Sequence, residues 1–297
     1  TIKIILLVWF FIIAIFFYIS KKKINYQLFS FDILKYIGPI TLVYILPAII
    51  YGEQFYVFRG NHWDLFGYLS IGSLFNEVSF RGVIEGNLPN YFYHFQDIKD
   101  IASVRNLASY LLALFINIKI IDIYLLVFLF KIVLVILSTF SILNLLESLN
   151  IRNQKEKYLI SMIFPFSFWI LYIFEIDSIS HLTSLPIFIL VVSETFNLNK
   201  YIQKNNNNYL IYFSIINSAL FLVYPEIFLV SLLIILVYFC VEIYENKKLF
   251  KNYFIFFSKL SLIFLAITLF AFKTNYIFLY TQINATLSHS HDWWGYF

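Results

Sequence analysis

The chain has 297 residues, 61% hydrophobic, 22% aromatic and 13% charged, with a net charge of +4. A soluble domain is about 45–50% apolar and about 25% charged, so this chain has too little polar surface to wrap a water-facing globule. Its apolar runs, roughly 15–25 residues long, suit a bilayer core; they are continuous, which excludes a transmembrane β-barrel, and the small charge, with lysines in short loops, argues against nucleic-acid binding.

The expected fold is an all-α polytopic transmembrane bundle of about eight spans, forming a single domain over 1–297. In chain order the spans are Ile4–Ile19, Tyr36–Ile50, Ile123–Leu146, Leu159–Phe174, Leu182–Phe196, Tyr209–Val223, Ile227–Tyr244 and Tyr253–Phe272. The first has its charges, Lys21, Lys22 and Lys23, on the C-terminal side, the wrong order for a signal peptide. Thr1 in place of methionine, and a stop at Phe297 just after a polar stretch, leave room for further residues at both ends. Cys240 is the single cysteine and lies inside an apolar run. No disulfide framework or cysteine metal site can be built from it.

Between the second and third spans lies Tyr51–Asp122, which holds most of the glycines and a shorter apolar piece, Leu107–Ile118. That piece falls short of the roughly 20 residues a crossing needs. If it does not cross, the loops Lys21–Lys35, Asn150–Lys157, Lys200–Asn208 and Glu245–Lys251 share one side and hold 12 of the 21 Lys and Arg residues. The other side receives about eleven of the 17 acids, among them Asp64, Asp122, Glu175, Asp177, Glu226 and Asp292. A crossing by Leu107–Ile118 would flip every later loop and break the positive-inside bias. The basic side is therefore read as cytoplasmic, and any site opens on the non-cytoplasmic face.

Four clusters on that face carry groups suited to chemistry. In Arg59–Leu69, Asn61, Asp64 and Tyr68 would share one face of a helix. Asp64 can act as a general base for an acceptor hydroxyl or amine, or help to hold a divalent cation; equally, Asn61 can cap a helix whose first turn carries Asp64. Glu175, Asp177 and His181 lie between two spans, as metal ligands, a phosphate-facing histidine or a solvated turn. Glu226 follows the helix-breaking Tyr224-Pro225, where a carboxylate in apolar surroundings needs a partner, water or a helix start. His289, His291 and Asp292 offer metal ligands without a specific motif, or a polar loop beside interfacial tryptophans. Lys131 and Lys259 lie inside spans, and Lys131 can reach upward to an anionic headgroup or simply snorkel. Arg105 flanks the short apolar piece as a phosphate fork or an ordinary interfacial anchor.

This arrangement resembles the GT-C superfamily of membrane glycosyltransferases: a span, a large first outer loop with an early acid, interfacial helices, then spans with short loops. Tyr36–Ile50 looks like the span, His62-Trp63-Asp64-Leu65-Phe66-Gly67-Tyr68-Leu69 like the start of the loop, and Val104-Arg105-Asn106-Leu107 with Leu107–Ile118 like its interfacial helices. Asp64 is followed by Leu65 where the family often shows paired acids, and an additional span precedes the expected first. The resemblance implies a multi-pass enzyme of a bacterial plasma (inner) membrane. It would move a sugar from a polyprenyl-phosphate-linked donor to a glycan, lipid or protein acceptor, in contact with membrane lipid, with Mg2+ or Mn2+ as the candidate cofactor. Asp64 would be the catalytic residue, with Trp63, Tyr68, Arg105, Lys131, Glu226 and His181 as substrate-binding candidates. A transporter or flippase, and an envelope polysaccharide polymerase or ligase, remain as alternatives. A transporter needs polar groups along a path, and apart from Lys131 and Lys259 the spans show few.

Overall fold

The computed structural model describes residues 34–52, 63–78, 106–117, 122–175, 178–203, 207–245, 247 and 250–287. The expected span Ile4–Ile19 lies outside them. The described residues form α1 (Leu34–Tyr51), α2 (Trp63–Glu77), α3 (Asn106–Ile116), α4 (Ile123–Ser148), α5 (Gln154–Ile163), a 3-10 turn (Phe164–Phe166), α6 (Phe168–Glu175), α7 (Ile179–Gln203), α8 (Asn207–Val223), α9 (Pro225–Glu245) and α10 (Phe250–Leu287). Six stretches among the described residues are long and apolar enough to cross a membrane: α1, α4, α5 with α6, α7, α9 and the first twenty residues of α10. The shorter α8 has 17 residues.

Local chemistry sets the boundaries. Asp122 caps α4, its Oδ1 accepting the backbone N–H groups of Tyr124 and Leu125 at 2.9 and 3.1 Å, which satisfies donors that the first turn leaves orphaned. Asn150 ends the same helix region at φ 58°, a left-handed conformation that asparagine tolerates. Pro165 lies in the 3-10 turn that interrupts the α5–α6 span, and its carbonyl accepts the Tyr44 hydroxyl of α1 at mid-bundle. Pro225 opens α9 at the first helical position, where its missing N–H costs nothing. Several boundaries differ from expectation: α5 begins at Gln154 rather than Leu159, and α7 runs past Phe196 to Gln203. The last helix continues past Phe272 to Leu287, because Phe250–Leu287 contains no proline or glycine and Asn275 is buried with its Nδ2 donating to the Phe221 carbonyl at 3.1 Å.

Helix α7 is central. It runs parallel to α4, since Asn144 donates to Ser193 at 2.8 Å and Asn197 donates to Ser148 at 3.0 Å with the same sequence offset of 49. It runs antiparallel to α8, with Tyr209 beside Glu194 at one end and Tyr224 beside His181 at the other. The helix ends therefore fall into two sets. One set gathers Asp122, Ser178, His181 and Tyr224. The other gathers Lys35, whose ammonium lies 5.9 Å from the Tyr158 ring centroid, Lys157, 3.7 Å from Glu147, and Asn199, which donates to Glu242 at 2.7 Å.

Helices α2 and α3 belong to the first set. Tyr68, Ala108 and Leu112 share one apolar cluster with Val127 and Ile179, the upper residues of α4 and α7. The two helices touch backbone to backbone at Gly72, where a Cβ would lie 3.1 Å from the Ala113 nitrogen and 3.2 Å from the Ser109 oxygen. Phe75 stacks on Tyr110 at 4.4 Å, and Asn117 donates to Asn76 at 2.8 Å. Helix α3 has 11 residues, about 17 Å at about 1.5 Å per residue, well short of the roughly 30 Å hydrocarbon thickness.

Candidate functional site

The first turn of α7 builds the most distinctive polar constellation. Ser178 precedes the helix; its carbonyl accepts the Leu182 N–H and its own N–H donates to the Ile173 carbonyl. Three residues on, His181 turns its imidazole back, and Nδ1 lies 2.6 Å from Ser178 Oγ. This is the spacing of a capping box, with an imidazole where a carboxylate usually stands. On the far side of the ring, Nε2 lies 2.9 Å from the Tyr224 hydroxyl, and the two rings meet at 4.6 Å and 48°. Tyr224 is held at the corner between α8 and α9: its N–H donates to Leu220 and its carbonyl accepts from Phe228, while Pro225 forces the chain to turn. Glu226 follows in the first turn of α9, half-buried, where the helix dipole favours a carboxylate.

Lys131 is 6% exposed inside α4. Its ammonium donates to the Phe174 carbonyl at 3.1 Å and lies 4.4 Å from the Phe174 ring centroid. It therefore sits at the C-terminal end of α6, the negative end of that helix dipole. Lys259, the other lysine inside a span, is exposed on the outer surface of the bundle.

The expected site residues thus divide. His181, Glu226 and Lys131 lie toward one end of the bundle, and Tyr68 packs there, buried against Ala108, Leu112, Val127 and Ile179. Trp63 and Asp64 form the first turn of α2, with Asp64 one turn before Tyr68. Arg105, Asp177, His289, His291 and Asp292 lie outside the described residues. Among the described residues no group of three His, Cys, Asp or Glu side chains could hold a metal ion. Among the described residues, one open groove runs along α1 at Leu34–Ile45 and another lies between α9 and α10 at Cys240–Phe250.

Two features escape the sequence reading. The link between His181 and Tyr224 joins residues 43 apart; the Ser-x-x-His spacing before an apolar run was its available signal. The spans also hold more polar groups than their hydropathy suggests. Glu194 is buried in α7, its carbonyl accepting the Tyr209 hydroxyl at 2.7 Å, and Glu242 accepts from Asn199. An acid inside an apolar run was the signal, since such groups in membranes are paired and face the interior.

No family model, curated protein or solved structure matches this chain.

Proposed function

We propose that this chain is a membrane glycosyltransferase of GT-C type, taking a sugar from a polyprenyl-phosphate carrier at the non-cytoplasmic end of the bundle. One observation carries the reading. The helix bearing Asp64, the short apolar helix α3 and the His181–Tyr224 pair all belong to the same end, the end opposite the lysine-rich connections. Positive-inside orientation puts that end outside. The helices α2 and α3 then occupy the place of interfacial helices in the first outer loop.

The chemistry asks little beyond positioning. The sugar–phosphate bond is already activated, so the enzyme must hold the acceptor, receive its proton and stabilise the charge left on the phosphate. Asp64 meets the acceptor, as its base or as the group that orients it.

The test is transfer by the purified chain in lipid from a panel of polyprenyl-phosphate sugars, with Asp64→Asn as control. A general base contributes about 10²–10⁴-fold and a misplaced reactant costs about 10²-fold, so in either role Asp64→Asn is expected to lose at least about 100-fold while its thermal unfolding stays unchanged. Near-normal transfer by Asp64→Asn would remove Asp64 from the mechanism. A second reading, transport, is favoured by the buried Glu194 in the central helix. Carrier-independent passage of a polar solute, abolished by Glu194→Gln, would support it instead.

A further inference from the structure

The His181 cluster has a property that the transferase reading does not use. Each ring nitrogen meets a hydroxyl, Ser178 Oγ at 2.6 Å and Tyr224 OH at 2.9 Å, and a hydroxyl can donate or accept. Neutral imidazole needs one donor and one acceptor partner; imidazolium needs two acceptors. Both states are served here by rotating hydroxyl hydrogens, with no heavy atom moving. A histidine bonded to a backbone carbonyl and a backbone N–H could not change charge so cheaply. The two partners also come from different segments, the cap of α7 and the α8–α9 corner, so the arrangement exceeds what capping one helix requires.

We infer that Tyr224 is a catalytic residue that receives the acceptor's proton, with His181 behind it as the group that ends up holding that proton and Ser178 as the residue that positions the ring. The inference rests on the transferase reading and assigns Asp64 the orienting role. Before reaction, Nδ1–H donates to Ser178 Oγ and the Tyr224 hydroxyl donates to Nε2. The acceptor oxygen forms its bond to the anomeric carbon as the carbon–oxygen bond to the carrier phosphate breaks, its electron pair leaving on the phosphate. The acceptor's proton passes to the phenolic oxygen while the phenolic proton passes to Nε2. Tyr224 ends as the neutral phenol and His181 as imidazolium, which returns its proton to water outside.

The surrounding elements bring charges of both signs. Lys131 and Asp122 stand on and before α4, Glu175 ends α6, Glu226 begins α9, Asp64 is in the first turn of α2, Tyr110 is on α3 and Lys273 is on α10.

The experiment measures kcat and KM against pH for wild type, Tyr224→Phe, His181→Gln and Ser178→Ala, using the donor that the panel identifies. A base must be unprotonated to act. Wild-type kcat/KM is therefore expected to show an acidic limb, falling as His181 takes up a proton. Tyr224→Phe is expected to lower kcat about 100-fold or more with KM changed less than about threefold. His181→Gln, which retains a hydrogen-bonding amide, should lose the acidic limb along with the rate. Titration of nitrogen-15-labelled histidine in wild type and Tyr224→Phe keeps the question open to measurement even where His181→Gln fails to fold; a ring that changes neither tautomer nor titration midpoint without the Tyr224 hydroxyl overturns the relay. A folded His181→Gln or Tyr224→Phe that keeps wild-type rate and pH profile also overturns it, while the glycosyltransferase reading survives. No transfer by wild type from any donor removes both.

Discussion

At the residue scale, magnitude decides what Lys131 does. A lysine inside a span costs up to about 2.5–3.5 kcal/mol on insertion scales, the figure for the span centre. Its bond to the Phe174 carbonyl is a hydrogen bond from a charged donor, worth about 1.5–3 kcal/mol. The two nearly cancel, so Lys131→Met is expected to change stability by about 1 kcal/mol or less. Thermal unfolding in detergent checks this, and a loss of several kcal/mol would mean that the ammonium holds more than α6. The His181 cluster behaves differently, because three side chains share one ring. Ser178→Ala and Tyr224→Phe should each cost about 0.5–1.5 kcal/mol as a lost hydrogen bond to the ring. Since both act through the imidazole, the double variant should depart from additivity by at least about 0.5 kcal/mol. Strict additivity would show the two bonds to be independent local contacts.

At the element scale, the contact between α2 and α3 hinges on Gly72. A side chain there meets the backbone of Ala113 and Ser109, and backbone cannot swing aside. Gly72→Leu is expected to destabilise by about 1–3 kcal/mol through overpacking and to impair transfer by displacing the helix that carries Asp64. Gly67→Leu is the control, because nothing lies within 4 Å of a Cβ at Gly67. Comparison of the two melting curves decides it; equal losses would mean that the close approach carries no special cost. The same elements show what the sequence could reveal. The spans now seen as α1, α4, α7 and α9 were legible to within a few residues at most ends, because each is a long apolar run bounded by caps, prolines or charges. The end of α10 was not, since polarity at Lys273 looks like an exit from the membrane, whereas a helix without proline or glycine can run on past the membrane boundary. Helix α2 was legible only in part, through the spacing of Asn61, Asp64 and Tyr68. The His181–Tyr224 pair was illegible as a pair: each residue lies in a short turn that could equally face water, and only the antiparallel packing of α7 on α8 joins them.

At the scale of the whole molecule, the interior hydrogen bonds fix which ends belong together, and charge fixes which way they face. Lys35, Lys157 and the Asn199–Glu242 pair stand at one end, and Asp122, His181 and Tyr224 at the other. The grouping does not depend on the lysine count, so a labelling experiment tests the orientation separately from the fold. Cys240 is the single cysteine and is exposed, so Cys240→Ala gives a clean background. Single cysteines introduced at Arg152 and at Lys247 are expected to resist a membrane-impermeant thiol reagent in intact cells and to react after permeabilisation. Cysteines at Glu175 and at Asp122, both exposed, are expected to react without permeabilisation, as is one at Asp64. If Arg152 and Lys247 react from outside while Glu175 and Asp122 are protected, the bundle is inverted and a lipid-linked donor on the outer face cannot reach Asp64. If Asp64 labels from one side and Glu175 from the other, α3 must be part of a crossing. The cluster uniting Tyr68, Leu112, Val127 and Ile179 could not then form, because it requires α2, α3 and the N-terminal turns of α4 and α7 to meet at one level.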